Sequence, residues 1–298
     1  MRVTNNMIAS NTLRNLNRNL SRLDKRNTQI STGKRINSPS DDPIGTSRAL
    51  RLRSDVSQIE QYERNTSAAT SWLDITESAT TDLYNILHKA KELTVKGASE
   101  TYAPEDRNTI ADEMEQLKQQ IIQIGNSTYT GRYIFSGFQT DEKTFNDDGT
   151  YNIATAPVQH KKYQVSVGEE IEVGVFGTEL FGNPVAGKAE MIDDFDNAIA
   201  ALRADDTANI AAFSTKIDGH LHNVLAVTSE IGAKSNRLEL IQNRLEKNNL
   251  DFTDLLSENE DVDMAETIMY MKMEESVYRA SLSAGAQVIQ PTLIDFIK

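Results

Sequence analysis

Apolar residues near the start of the chain fall at alternating spacings of three and four: Leu13, Leu16, Leu20, Leu23 and Ile30, with Asn27 occupying one position of the same series. That spacing is the seam of a supercoiled helix. Near the other end Met264, Ile268, Met271, Glu275, Tyr278, Leu282, Gly285 and Ile289 repeat it. Each stripe is narrow, so neither helix buries itself alone. The spacing predicts that the two ends pair with each other and then with neighbouring copies of the chain.

Between the ends the pattern predicts long helices interrupted once by strands. The first helix, over about residues 5 to 31, stops at Gly33. A turn-rich stretch from Asn37 to Asp42 follows, and Asp42 with Pro43 reads as the cap and first residue of a second helix. There Leu52, Ile59, Thr66, Leu73, Thr80 and Leu87 recur at sevens, predicting a rod of some fifty residues. Pro104, Glu105 and Asp106 open a third helix, in which Ile110, Met114, Leu117, Ile121 and Ile124 keep the heptad spacing.

From Gly125 to Gly187, which holds nine of the fifteen glycines, alternation replaces the helical period. Tyr163, Val165 and Val167 face Ile171, Val173 and Val175 across Gly168, and Asp148 with Gly149 supplies another turn. Helical pattern resumes near Lys188, and Ile210, Ile217, Val224, Ile231, Leu238, Leu245 and Phe252 fall at every seventh residue. An acidic break from Glu258 to Asp263 precedes the terminal helix. The fold class that follows is mainly α with a β insertion, an α+β chain in three parts. Residues 1–42 and 257–298 form a terminal coiled-coil layer, 43–128 and 188–256 an antiparallel helical bundle, and 129–187 a small antiparallel β domain.

Charge sharpens this division. The net charge is −13, yet residues 1–53 carry eleven Lys/Arg against three Asp/Glu. The acidic remainder repels phosphates, which argues against nucleic-acid binding. No apolar run approaches a bilayer span or a signal-peptide core, so membrane insertion is not expected and export would need another route. Cysteine is absent, which excludes disulfides and thiolate chemistry.

Candidate chemistry is sparse. His220 and His222 flank Leu221 on a helix and diverge by about 200°, a poor arrangement for sharing a metal. The paired acids Asp41 with Asp42 and Glu169 with Glu170 suit turns and caps better than acid and base roles. No glycine run has phosphate-loop spacing, and no serine sits in a nucleophile elbow. No cofactor, metal site or enzymatic activity is expected. Met264, Met269, Met271 and Met273 suit ordinary helix packing, and Tyr129, Tyr133, Phe135 and Phe138 suit anchoring of the β insertion.

The turn between the first two helices carries a resemblance. Its residues Ile30, Ser31, Thr32, Gly33, Lys34, Arg35, Ile36, Asn37, Ser38, Pro39, Ser40, Asp41, Asp42 and Pro43 resemble the N-terminal signature of the flagellin family. Thr130 to Phe138, with Thr140 and Phe145, is similar to the segment entering the outer β domain in one branch of that family, distinct from the filament subunits. The closing stretch Pro291 to Lys298 is similar to the same branch. The resemblance implies a structural part of the extracellular bacterial flagellum, a junction adaptor between hook and filament, with the ends innermost and the β insertion outermost. It implies export by the flagellar type III apparatus. The partners it implies are further copies in a tubular ring, flagellin, a protein on the hook side and an export chaperone. A filament subunit is the alternative within the family. A cytosolic coiled-coil scaffold would explain the heptads but not the signature turn.

A helix with one narrow apolar stripe gains too little burial to offset the entropy of ordering its backbone. In the free chain, amides over about residues 5–31 and 264–289 are therefore expected to exchange far faster than those around Leu73 or Ile121. Hydrogen exchange followed by mass spectrometry measures this, and equal protection in both regions refutes it.

Overall fold

A computed structural model describes residues 5–99, 103–153 and 160–289. The chain is mainly α with small antiparallel hairpins, as the periodicity predicts. In order, the elements are α1 (Asn5–Thr32), α2 (Pro43–Gly97), α3 (Pro104–Gly125), β1 (Thr128–Tyr129), β2 (Arg132–Tyr133), β3 (Lys162–Ser166), β4 (Glu169–Glu172) and α4 (Gly177–Phe181). These are followed by β5 (Pro184–Val185), β6 (Lys188–Ala189), α5 (Glu190–Arg203), α6 (Thr207–Glu260) and α7 (Met264–Ile289). The chain divides into two compact units. One comprises the described residues up to Gln58 with those from Asn248 onward, the other Ile59 to Lys247. Both boundaries fall inside the long helices α2 and α6.

In the larger unit the heptads of α2 bury Ile59, Thr66, Leu73, Thr80 and Leu87. Most threonine hydroxyls along this helix find a partner within it: Thr76 and Thr94 each donate to the carbonyl four residues back at 2.8 Å and Thr80 to the Glu77 carbonyl at 2.9 Å, whereas the buried Thr66 hydroxyl has no hydrogen-bond partner among the described residues. The α6 series is buried from Ile210 through Ile217, Val224, Ile231 and Leu238 to Leu245. Helix α3 adds Ile110, Met114 and Ile121. It is tied to α5 by Lys118 with Asp196 at 2.8 Å and by Arg203 with Asp112 at 3.2 Å.

The helical pattern after Lys188 is not continuous. It breaks at Ala204 to Asp206, where Asp205 takes φ of +58°, and Asp206 Oδ1 caps α6 by accepting from the Ala208 and Asn209 amides at 3.2 Å each. Arg107 holds this break. Its buried guanidinium donates to the Gly97 and Ser99 carbonyls at 3.0 Å each and pairs with Asp205, closing the C-terminal end of α2.

Among the described residues the β insertion is three two-stranded hairpins rather than one sheet. Gly168 turns the β3–β4 hairpin with φ of +73°, and a register shift between Gln164 and Ser166 frees Val167 from the alternation. Val167 therefore lies exposed at the tip while Val165, Ile171, Val173 and Val175 are buried. Glu169 ties the hairpin to α6 through Arg237 at 2.8 Å and Arg244 at 3.2 Å.

Beneath the hairpins Phe135, Phe145 and Phe181 meet edge to face at 5.7 and 5.0 Å. Gly125 ends α3 here because an added Cβ would lie 2.3 Å from the Phe145 ring. Tyr129 packs edge-on to Trp72 at 5.9 Å. Phe138 points to solvent, so this member of the aromatic group is not an anchor.

Arg107→Ala removes a buried charged donor from two carbonyls and leaves Asp205 without its partner, a cost of about 3 kcal/mol. A thermal melt of the full chain followed by emission of Trp72, the single tryptophan, is expected to shift down by several degrees.

Candidate assembly interface

The signature turn is built residue by residue in the smaller unit. Gly33 closes α1 with φ of +70°, and the chain then forms a short antiparallel bridge between Lys34 and Asp261. Two backbone bonds define the bridge: the Arg35 amide donates to the Glu260 carbonyl at 2.6 Å, and the Val262 amide donates to the Gly33 carbonyl at 3.1 Å. The Glu260 carboxylate is buried, with one oxygen paired to Lys34 and the other to Arg53. Arg35 reaches further, donating to the Asn259 carbonyl at 2.7 Å, while Asn259 donates to the Gly45 carbonyl at 2.9 Å.

The remaining turn residues complete the lock. Ile36 is buried, and Asn37 donates to the Lys34 carbonyl at 2.9 Å. Asp42 caps α2 by accepting from the Gly45 amide at 2.9 Å, with Pro43 at the first helical position. Any side chain at residue 45 would meet Asp42 at 2.5 Å and Ile36 at 2.6 Å, which explains glycine there. Asp41 pairs with Lys25 at 2.9 Å and accepts from the Ser38 amide at 3.0 Å. The Lys25 ammonium, and after it the Ser38 amide, hold its pKa down at about 2.

Glu260 and Arg53, with Asn259, Gly45 and Lys25, are members that sequence reading missed. The signal was an acidic residue closing α6, where the last turn has no basic residue. A carboxylate is disfavoured at a helix C-terminus unless cations attend it.

Helices α1 and α7 run antiparallel, and the partners retreat along one helix as they advance along the other. Arg26 stacks over the Tyr270 ring at 5.0 Å, Arg22 pairs with Glu274 at 3.3 Å, and Asn19 donates to Ser281 Oγ at 2.7 Å. Thr12 lies where a Cβ on Gly285 would come within 3.2 Å. This pairing splits each stripe. Leu16, Leu23, Ile30, Met271 and Tyr278 are half-buried. Leu13 and Leu20 stay 53% and 45% exposed, as do Met264, Ile268 and Leu282 at 43–44%, and Asn27 is exposed with them. The side chain of Ile289, and residues Pro291 to Lys298, lie outside the described residues. The inward face is thus rich in polar and small groups, and much of the apolar surface faces out.

Among the described residues no group of His, Cys, Asp or Glu is placed to hold a metal, and no helix is long and apolar enough to cross a membrane.

Paired end helices with uncovered apolar flanks, joined to a helical bundle with a β insertion, define a structural protein built of long helices. The chain belongs to the flagellin family. The bacterial flagellin N-terminal helical region matches residues 3–140, and the C-terminal helical region matches residues 214–297. Flagellar hook-associated protein 3 of Escherichia coli strain K12 is 30% identical over 95% of this chain and 96% of its own length. Flagellin of Bacillus subtilis strain 168 is 28% identical over 97% of each. A solved flagellar hook-associated protein from Vibrio parahaemolyticus shares the fold with a TM-score of 0.67 at 23% identity, covering 74% of this chain and all of that one. The chain is a structural component of the bacterial flagellum.

The Asp41 carboxylate titrates at about 2 in the folded turn, below its value of about 3.9 in an unfolded chain. It therefore stabilises the turn fully above about pH 4, and that contribution is lost as pH falls towards 2. The Asn37 and Ser38 amide shifts are expected to titrate with a midpoint near 2 in NMR spectra. Asp41→Asn is expected to abolish the titration.

Proposed function

We propose that this chain is a junction adaptor, assembling as a ring that joins the hook to the flagellin filament. The observation that carries the reading is the apolar flank left uncovered after α1 and α7 have paired. A helix pair that satisfies its polar groups internally and presents Leu13, Leu20, Ile268 and Leu282 outward is suited to packing against further copies. The identity to a hook-associated protein, 30% against 28% for a flagellin over comparable shares of both chains, supports the junction over a position in the filament itself.

On this reading residues 1–42 and 257–298 form the inner layer of the tube, the bundle of 43–128 and 188–256 a second layer, and the insertion of 129–187 the outside. The interface residues are Leu13, Leu16, Leu20, Leu23, Asn27, Ile30, Met264, Ile268, Met271, Tyr278, Leu282 and Ile289, with the turn from Gly33 to Pro43 setting their geometry. Neighbours are flagellin on one side and a hook-side junction protein on the other. The subunit travels through the flagellar type III apparatus with an export chaperone and acts outside the cell, without catalysis.

Aspartate at both Leu13 and Leu20 charges the outward flank while leaving the inward contacts of α1 untouched. The double variant is expected to keep the Trp72 melting curve of the parent, to be absent from isolated flagella by immunoblot, and to leave cells with hooks that shed flagellin into the medium. Normal incorporation overturns the reading. Loss of filament subunit beside an intact junction favours the filament alternative.

A further inference from the structure

The pairing of α1 with α7 poses a problem of register. Leu16, Leu23 and Ile30 recur at sevens, so a slide by one heptad would place comparable side chains opposite α7. The ionic and cation–π contacts along the helices, Arg22 with Glu274 and Arg26 with Tyr270, are exposed or half-exposed and individually weak, and the buried polar partner Asn19 is neutral. At the turn end, one group is different: the Glu260 side chain is 5% exposed and holds both Lys34 and Arg53, which are themselves 40% and 48% exposed.

We infer that Glu260 is the register-determining residue of the terminal pair. A slide of α1 by seven residues would carry Lys34 away from this buried carboxylate while Arg53 on α2 stays, leaving one carboxylate oxygen out of water without its cation. That penalty is absent for apolar neighbours, and buried polar groups are best attested in this role of selecting one register. The bridge between Lys34 and Asp261 lies beside the carboxylate, so the two backbone bonds form only in the same register. The inference rests on the terminal helices being assembly elements, because a slipped pair would displace every outward apolar residue relative to neighbouring copies.

The chain holds no cysteine, so introduced pairs report register without interference. Asn19→Cys with Ser281→Cys probes the observed register, and Arg26→Cys with Ser281→Cys probes a slide of one heptad. Rates of disulfide formation under mild oxidation of the purified full chain, less the rates of the same cysteine pairs in denaturant, give their ratio. Adding Glu260→Gln is expected to reduce that ratio roughly tenfold. Neutralising all three groups, with Lys34→Met, Arg53→Met and Glu260→Met, is expected to restore stability in a melt but not the ratio. An unchanged ratio in Glu260→Gln, or a triple variant that recovers it, overturns the proposal. The assay reads isolated chains, so its failure is distinct from a failure to join the flagellum.

Discussion

Each terminal helix turns only part of its apolar stripe to the other. In this chain the inward face between α1 and α7 carries Thr12, Asn19, Arg26, Ser281 and Gly285 beside the half-buried Leu16, Leu23 and Met271, while Leu13, Leu20, Met264 and Leu282 stay in water. Polar groups such as Asn19 and Ser281 satisfy each other at short range within one molecule. Apolar area of the size left on Leu13, Leu20, Ile268 and Leu282 is relieved only by another surface.

The turn translates that constraint into geometry. Were the ends merely tethered, their incomplete helices would pair in several ways of similar energy. Bonds from Gly33, Arg35 and Asn259 stitch the beginning of α2 to the end of α6. The result is a rigid origin from which α1 and α7 project. The glycines at 33 and 45 are there for separate reasons, one a positive φ and the other a close approach of Asp42 and Ile36. Stability in the larger unit comes from a different source, a long apolar seam and an aromatic cluster that are complete within one molecule. An assembly subunit of this kind can be firm in its body and marginal at its ends.

Periodicity by itself determined the long helices, the bundle and the position of the β insertion. Seven-residue recurrence of large side chains is a direct statement about which face of a helix is buried, and Ile210 to Leu245 obey it without exception. The cap at Asp42 and the turn at Gly168 were legible too, because each depends on neighbours a few residues away. Tertiary structure alone decided which half of each stripe turns inward, because spacing assigns residues to a face but not to a partner. It also decided the break at Asp205, which Arg107 stabilises from nearly a hundred residues away, and the role of Glu260, whose cations lie more than two hundred residues earlier in the chain. Those decisions rest on charges and hydrogen bonds between distant segments, and no local pattern encodes a partner that only folding brings near.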